Sequence, residues 1–361
     1  MQKIMAEDVE PLKARFQTGL LTWNKKHNKR IMPWKGEKNP YRIWLSEIIL
    51  QQTRVEQGLK YYESFILTFP SVEELANAPS QKVFKLWEGL GYYSRCKNLI
   101  TSARYISEKL GGKFPEDYET ILSLKGIGTY TASAIASFAF NLPYAVLDGN
   151  VFRVLSRIFD NETPIDTLEG KKFFSSLAQS ILPHKKSAVY NQAIMDFGAT
   201  ICKTQPDCAI CFFQTDCRAF LQKKQFLLPV KSKRLIVRNR WFNYALFRQG
   251  SYYAIRERAT KDIWQGLFEF HLVETQKKPT KKQLHLQFEQ EFNLGHSEYK
   301  FTVTPFSCSQ RLTHQLIHFQ IYVADIESLY PFQNFRWVAK EELKTYPFPK
   351  TLQQFIKDEL C

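Results

Sequence analysis

Between residues 40 and 201 the apolar positions recur at three- and four-residue spacing, the period of a helix with one buried face. Pro40 to Phe69 shows it in Ile43, Trp44, Ile48, Leu50, Val55, Leu59, Tyr62 and Phe65. Ser71 followed by Glu74 has the spacing of a capping box and predicts a short helix there. Ser94 to Leu110 reads as a helix that stops at Gly111-Gly112. Thr129 to Phe140 is rich in Ala and Ser, so its backbone can lie close against a neighbour. Val151 to Phe159, Thr167 to Leu182 and His184 to Ile201 continue the series. This part holds no strong strand.

The pattern changes after Cys217. No acidic residue occurs from Cys217 to Arg256. Gln222 to Arg240 carries Lys223, Lys224, Lys231, Lys233, Arg234, Arg238 and Arg240 around Pro229, and reads as an exposed basic linker. Short runs of β-formers follow at Trp241–Phe247, Ser251–Ile255, Leu267–Leu272, Lys300–Val303 and Leu316–Val323. Lys281 to Phe292 is an amphipathic helix between them, and Thr351 to Leu360 a closing helix. The expected organisation is a mainly α domain over 1–221, a linker over 222–240 and an α+β domain over 241–361. There is no internal repeat.

Length and charge sharpen this. A chain of 361 residues has a prior of two domains. With 50 Lys and Arg against 35 Asp and Glu, its net charge is +15, which points to a polyanionic partner. A hydrophobic content of 44% excludes a disordered chain. No apolar run reaches the ~18 residues of a membrane span, and Met1 to Pro11 lacks a signal peptide's apolar stretch. Seven cysteines, an odd number without an export signal, argue against a disulfide framework.

Three constellations can carry chemistry. Cys202, Cys208, Cys211 and Cys217 fall within sixteen residues. Four thiolates so close suit a [4Fe–4S] cluster or a structural zinc. Only Cys208 and Cys211 form a zinc-type dyad, which favours the cluster. Second, Gly126-Ile127-Gly128 opens the small-residue helix at Thr129. Its N–H groups can hold a phosphate; the plain alternative is an ordinary helix–turn–helix corner. Third, Glu47 lies among apolar helix neighbours and Asp148 just before a helix. Burial would raise the Glu47 pKa and keep it protonated as a general acid, while donors near Asp148 would keep it ionised. Such a pair suits cleavage of a glycosidic bond. The bland readings are a solvated helix residue and a turn. With only His27 and His184 before Cys217, histidine chemistry has little support there.

Read together, several stretches resemble the endonuclease III-like superfamily of helix–hairpin–helix DNA glycosylases, and within it the MutY-type adenine DNA glycosylases. They are Pro33-Trp34-Lys35, Trp44-x-Ser46-Glu47-x-x-Leu50-Gln51-Gln52-Thr53, Trp87-x-Gly89-Leu90-Gly91-Tyr92-Tyr93, Leu147-Asp148-Gly149-Asn150-Val151 and Trp264-x-Gly266-Leu267-Phe268-Glu269. The resemblance implies a helix–hairpin–helix over 122–140, a [4Fe–4S] loop over 202–217 and a Nudix-like C-terminal domain. It implies excision of adenine paired with 8-oxoguanine or guanine in duplex DNA, by a monomer in the bacterial cytoplasm, at the nucleoid. Glu47 would protonate the base and Asp148 would stabilise the sugar cation, supported by Tyr130 and Asn150. Trp34, Lys35 and Gln192 would line the adenine pocket. Gln52 and Tyr92 would stack around 8-oxoguanine, and Thr313 and His314 would hydrogen-bond it. Gly126 and Gly128 would hold phosphate, and Cys202, Cys208, Cys211 and Cys217 the cluster.

The chain departs from that family in three places. Cys202 and Cys208 are separated by five residues instead of six, Lys125 replaces a hairpin proline, and Lys35 replaces an arginine whose bidentate fork lysine cannot reproduce. Rival readings are a glycosylase/lyase for oxidised pyrimidines, a silent lesion sensor and a Nudix hydrolase. Tyr130 stands where the lyases carry their Schiff-base lysine. The presence of both Glu47 and Asp148 argues against a sensor. Gln283 to Glu291 lacks the acidic Nudix helix.

Overall fold

The computed structural model describes residues 9–232, 237–292, 299–301, 305–327 and 334–360. Its helices are α1 Val9–His27, α2 Pro40–Leu50, α3 Val55–Thr68, α4 Val72–Asn77, α5 Ser80–Trp87, α6 Tyr93–Lys109 and α7 Tyr118–Ser123. They continue as α8 Thr129–Phe140, α9 Gly149–Ile158, α10 Leu168–Ser180, α11 Ser187–Thr200 and α12 Arg218–Leu221. The backbone packs as two units: Met1–Ala76 with Thr101–Lys233, and Asn77–Ile100 with Arg234–Cys361. Among the described residues no helix is long and apolar enough to cross a membrane.

The first unit is built on α1, α9, α10 and α11. Leu12, Phe16, Leu20 and Trp23 of α1 line up at helical spacing and meet Val151, Val154, Leu155 and Ile158 of α9 and Tyr190, Ile194 and Phe197 of α11. The α1 stripe is readable in the sequence, although no helix is expected there above. Helix α2 is buried nearly all round and packs against α8, where Ala132, Ser133, Ala134 and Ala136 leave room for it. The single helical stretch expected from Pro40 to Phe69 is interrupted. Gln52 adopts φ +55°, which a right-handed helix of L-residues cannot contain, so α2 ends and α3 starts afresh.

The second unit is an eight-stranded mixed sheet among the described residues: β1 Arg238–Gln249, β2 Tyr252–Glu257, β3 Phe268–Glu269, β4 His271–Thr275, β5 Tyr299–Phe301, β6 Phe306–Arg311, β7 Gln315–Ile326 and β8 Arg336–Ala339. Strands β1 and β7 run parallel at its centre, with Phe242 opposite Phe319 and Tyr244 opposite Ile321. From Phe242 to Phe247 β1 is buried continuously, as a strand covered on both faces must be. Leu284 and Phe288 of α13 (Lys281–Phe292) pack with Ala245 and Phe247. Tyr244 meets Phe270, which packs on Phe355 at the end of α14, Lys350–Phe355.

The expected run Leu267–Leu272 is two short strands interrupted at Phe270. Of the run Lys300–Val303, residues 302 and 303 lie outside the described residues. β6 and β8 were not expected; β6 is largely polar (Ser307, Cys308, Ser309, Gln310) and gives no apolar signal.

The stretch expected as an exposed basic linker is partly docked. Leu228 is buried, the Ile165 N–H donates to the Val230 carbonyl at 3.0 Å, and the Ser232 N–H donates to Asp166 at 2.9 Å. Arg238 and Arg240 already belong to β1, and Arg240 is paired with Asp262 and Glu274. Lys233 and Arg234 lie outside the described residues. The segment Asn77–Ile100 belongs to the sheet's unit. Lys85 donates to the Tyr346 carbonyl at 3.2 Å, and the Phe348 N–H donates to Glu88 at 3.0 Å. Gly266, at φ +85°, lets the chain turn so close to Phe84 that a Cβ there would lie 3.1 Å from its ring.

Candidate active site

Glu47 sits on the inner face of α2, 7% exposed. Burial pushes its carboxyl up to about 7; the Tyr130 phenol donates a hydrogen bond that pulls it down, and the Asp148 charge pushes it up. The phenol itself is driven well above its ordinary range, first by burial and then by the two carboxylates, so it remains a donor. Tyr130 is at the second position of α8, directly after the hairpin.

Asp148 is the N-cap of α9. One carboxylate oxygen accepts the Val151 N–H at 2.7 Å and the other accepts the Asn150 amide at 2.7 Å. Burial raises this carboxyl too, but these donors and Arg153 draw it back toward the ionised form. The Asn150 amide is locked from its other side, because its oxygen accepts from Arg153 at 2.8 Å. The two carboxyls thus differ in kind: one is buried with a phenol, the other is a helix cap.

One cavity of about 670 Å³ brings together Glu47, Tyr130, Asp148, Asn150, Trp34, Lys35, Gln52 and Gln192. Trp34 stands edge-on to Tyr62 at 5.4 Å between ring centres. Lys35 turns its ammonium inward, 2.9 Å from Asp196, and donates to the Arg30 carbonyl at 2.9 Å. Gln52 reaches the cavity from the left-handed break after α2. Gly126 and Gly128 do not line it. Gly126 turns the hairpin at φ +82° and Gly128 is the N-cap of α8, whose first N–H groups have no partner within the helix. The sequence reading missed Asp196, one turn after Gln192 and the single charged residue of α11.

Residues 45–178 match the model of the HhH-GPD superfamily of base excision DNA repair proteins, and residues 243–358 match that of the NUDIX domain. The adenine DNA glycosylase of Buchnera aphidicola subsp. Baizongia pistaciae is 37% identical over 257 residues, 71% of this chain and 73% of the relative. That of Buchnera aphidicola subsp. Schizaphis graminum is 28% identical over 351 residues, 95% of this chain and 98% of the relative. The chain belongs to the adenine DNA glycosylase family. The solved structure of a thermostable thymine-DNA glycosylase has 28% identity and a TM-score of 0.55, over 59% of this chain and 98% of that one. The family's two parts, a mainly α helix–hairpin–helix domain and an α+β Nudix-like domain, are both present.

In this adenine DNA glycosylase family member the four cysteines line one apolar hollow, together with Phe197, Phe213 and Arg157. All four are half-buried and unbridged. Among the described residues no His, Cys, Asp or Glu group is tight enough to hold a single ion. Four cysteine sulfurs around one apolar hollow are a donor set of the kind that holds a thiolate-bound metal centre. Burial pushes the Cys211 thiol up to about 12 and the Cys217 thiol up to about 11, so thiolates there need compensating charge. Arg157 supplies some of it. Its buried guanidinium donates to the Lys203 carbonyl at 2.6 Å and approaches the Cys202 sulfur at 3.4 Å.

Tyr92, Thr313 and His314 belong to the second unit. The Tyr92 hydroxyl is hydrogen-bonded to the Thr313 hydroxyl in the turn between β6 and β7. His314 is exposed in the same turn, and its carbonyl accepts the Arg238 N–H at 2.9 Å.

Proposed function

We propose that this enzyme excises adenine paired with 8-oxoguanine or guanine in duplex DNA, as a monofunctional base-excision-repair glycosylase. The observation that carries the reading is a single cavity that holds Glu47, poised near neutrality, opposite the capped carboxylate of Asp148. The adenine leaves the stack, at a cost of a few kcal/mol, and enters this cavity. Glu47 gives its proton to N7 of the base. The C1′–N9 bond breaks, its electron pair goes to the departing adenine, and Asp148 stabilises the positive sugar. Water then adds to C1′ and loses a proton. Asn150 holds Asp148 in place, and Tyr130 holds Glu47.

Strand cleavage needs an amine that can form an imine. Tyr130 has none. Of the cavity's lysines, Lys35 is engaged by Asp196 and Lys38 by the Phe138 carbonyl, while Lys125 does not line the cavity.

The remaining assignments rest on the family resemblance together with these positions. Gln52 and Tyr92 fill the stack around 8-oxoguanine, Thr313 and His314 bond it, and Gly126 and Gly128 hold a phosphate. Cys202, Cys208, Cys211 and Cys217 carry a [4Fe–4S] cluster, which when bound would supply a covalent staple for the loop over 202–217. Residues 1–221, apart from the segment Asn77–Ile100 that packs with the sheet's unit, form the glycosylase domain, residues 222–237 the connection and the rest, from β1 onward, the Nudix-like reader. The reader binds without hydrolysing nucleotides, because α13 commits Leu284 and Phe288 to the core and lacks the acidic signature. The enzyme works as a cytoplasmic monomer on bacterial DNA.

Single-turnover base release from a duplex with one A opposite 8-oxoguanine tests the reading, beside a duplex with thymine glycol opposite A. Free adenine, with breaks only after alkali, is the expected result. Direct nicking of the thymine glycol strand without adenine release would overturn it and turn attention to Lys125.

A further inference from the structure

Asp196 is fully buried, 0% exposed, one helical turn beyond Gln192 on α11. Four side chains converge on its carboxylate, and all four are donors. Asn28 Nδ2 lies 2.8 Å from Oδ2 and Lys35 Nζ 2.9 Å from Oδ2. Arg30 Nη1 lies 3.0 Å from Oδ1, and Gln192 Nε2 3.0 Å from Oδ1. Two of the four bring full positive charges, and with a donor on each side the carboxylate has only acceptors to offer them.

This fixes the orientation of the Gln192 amide. An amide can usually turn over and exchange its NH₂ for its oxygen. Here the reversed amide would set its oxygen against a buried carboxylate, acceptor on acceptor, and would leave the carboxylate short of a donor. The NH₂ therefore stays on Asp196 and Oε1 is left for the cavity that Gln192 lines. A purine with a 6-amino group presents donors to such an oxygen. A 6-oxopurine presents a second acceptor and is repelled.

We propose that Asp196 is a positioning residue for base choice: by holding the Gln192 amide in one orientation, it makes the cavity select 6-aminopurines over 6-oxopurines. The inference rests on the adenine-release reading above and adds to it the source of the selectivity. Asp196 does not touch the base; it acts through Gln192.

The test compares single-turnover release of adenine and of hypoxanthine from otherwise identical duplexes. A merely structural role slows both bases together and leaves their ratio unchanged. Asp196→Asn provides an NH₂ that can serve a reversed Gln192, so the adenine-to-hypoxanthine ratio is expected to fall about tenfold or more. Gln192→Leu removes the acceptor without touching Asp196 and should lower the ratio as well. In the double variant Asp196→Asn with Gln192→Glu, the glutamate can only accept, and the ratio should recover. A folded Asp196→Asn protein with the wild-type ratio would overturn the proposal. So would an unchanged ratio in Gln192→Leu, which decides the matter even where Asp196→Asn does not fold. Wild-type protein that releases neither base would instead overturn the activity reading, a separate failure.

Discussion

Gly198 of α11 sits so close to Asn150 that a Cβ on it would lie 2.7 Å from the Asn150 Cβ and 3.1 Å from its carbonyl oxygen. Both are fixed atoms at the start of α9, and Arg153 ties them further by donating to the Gly198 carbonyl at 2.7 Å. Gly198→Ala must therefore displace the turn that carries Asp148. The expected cost is ~1–3 kcal/mol of stability. The larger effect is on rate, about 100-fold slower base release, since misplacement by ~1 Å is enough for that. Thermal unfolding and single-turnover kinetics separate the two; a rate within twofold of wild type would show that the turn tolerates the shift.

The Glu47 pKa sets the pH dependence. Its proton is present below about 7 and lost above it, so base release should fall about tenfold per pH unit on the alkaline side. Glu47→Gln should lose about 100-fold or more in rate and flatten this limb. Its stability should move the opposite way. The folded pKa lies above the ordinary 4.5, so the buried carboxyl costs nothing at pH below 4.5, and its full penalty, about 3 kcal/mol, is present only above 7. Glu47→Gln should thus melt higher than wild type at pH 8 and equally at pH 4. A uniform shift at both values would place the effect elsewhere than in the ionisation.

Tyr130 gives a finer test of the same carboxyl. Its hydrogen bond lowers the Glu47 pKa, so Tyr130→Phe should raise it and move the alkaline limb of the rate profile to higher pH. A limb that stays in place, or moves to lower pH, would mean that the phenol does not serve the ionised carboxyl.

The parts of this site that lie in short contiguous motifs were legible in the sequence. Glu47 in an apolar helix, Asp148 before a helix start and four close cysteines announce themselves locally. The structure brings eight of the residues named from sequence to one cavity. Asp196 was not legible, because its meaning depends on Asn28 and Arg30, which are 168 and 166 residues away in the chain. The placement of Asn77–Ile100 in the sheet's unit was hidden for the same reason: it depends on Tyr346, Phe348 and Gly266. Period alone could not show the end of α2, since the apolar spacing runs on through Gln52 while its backbone does not.

Arg157 predicts how the cysteine loop fails. Its guanidinium serves the carbonyls of Leu228 at 3.1 Å, Lys203 at 2.6 Å and Thr204 at 3.1 Å as well as the Cys202 sulfur. A lysine ammonium cannot span that fork. Arg157→Lys should leave buried acceptors unpaired, at a cost on the order of 3 kcal/mol, and, if the cysteines hold the cluster proposed above, should lower the iron and sulfide bound per chain. Metal analysis and thermal unfolding check this. Full iron content in the variant would show that the loop holds its shape without the arginine.

The bond between Tyr92 and Thr313 joins two residues assigned separately to 8-oxoguanine, one in the Asn77–Ile100 segment and one in the β6–β7 turn. Tyr92 holds a left-handed backbone, φ +48°, an uncommon conformation for an aromatic residue that costs of the order of ~1 kcal/mol or more. It is also 44% exposed, so burial does not explain that cost. Its hydroxyl bond to Thr313 ties the ring to the β6–β7 turn. If the two act as one unit, Tyr92→Phe and Thr313→Ala should each lower the preference for A opposite 8-oxoguanine over A opposite guanine. The double variant should then lose no more than the worse single one, because the bond can be broken only once. Melting temperatures should barely change, since both side chains are exposed at the surface of their unit. Losses that add in the double variant would show two independent contacts. Unchanged preference in both single variants would remove this pair from recognition of the oxidised base.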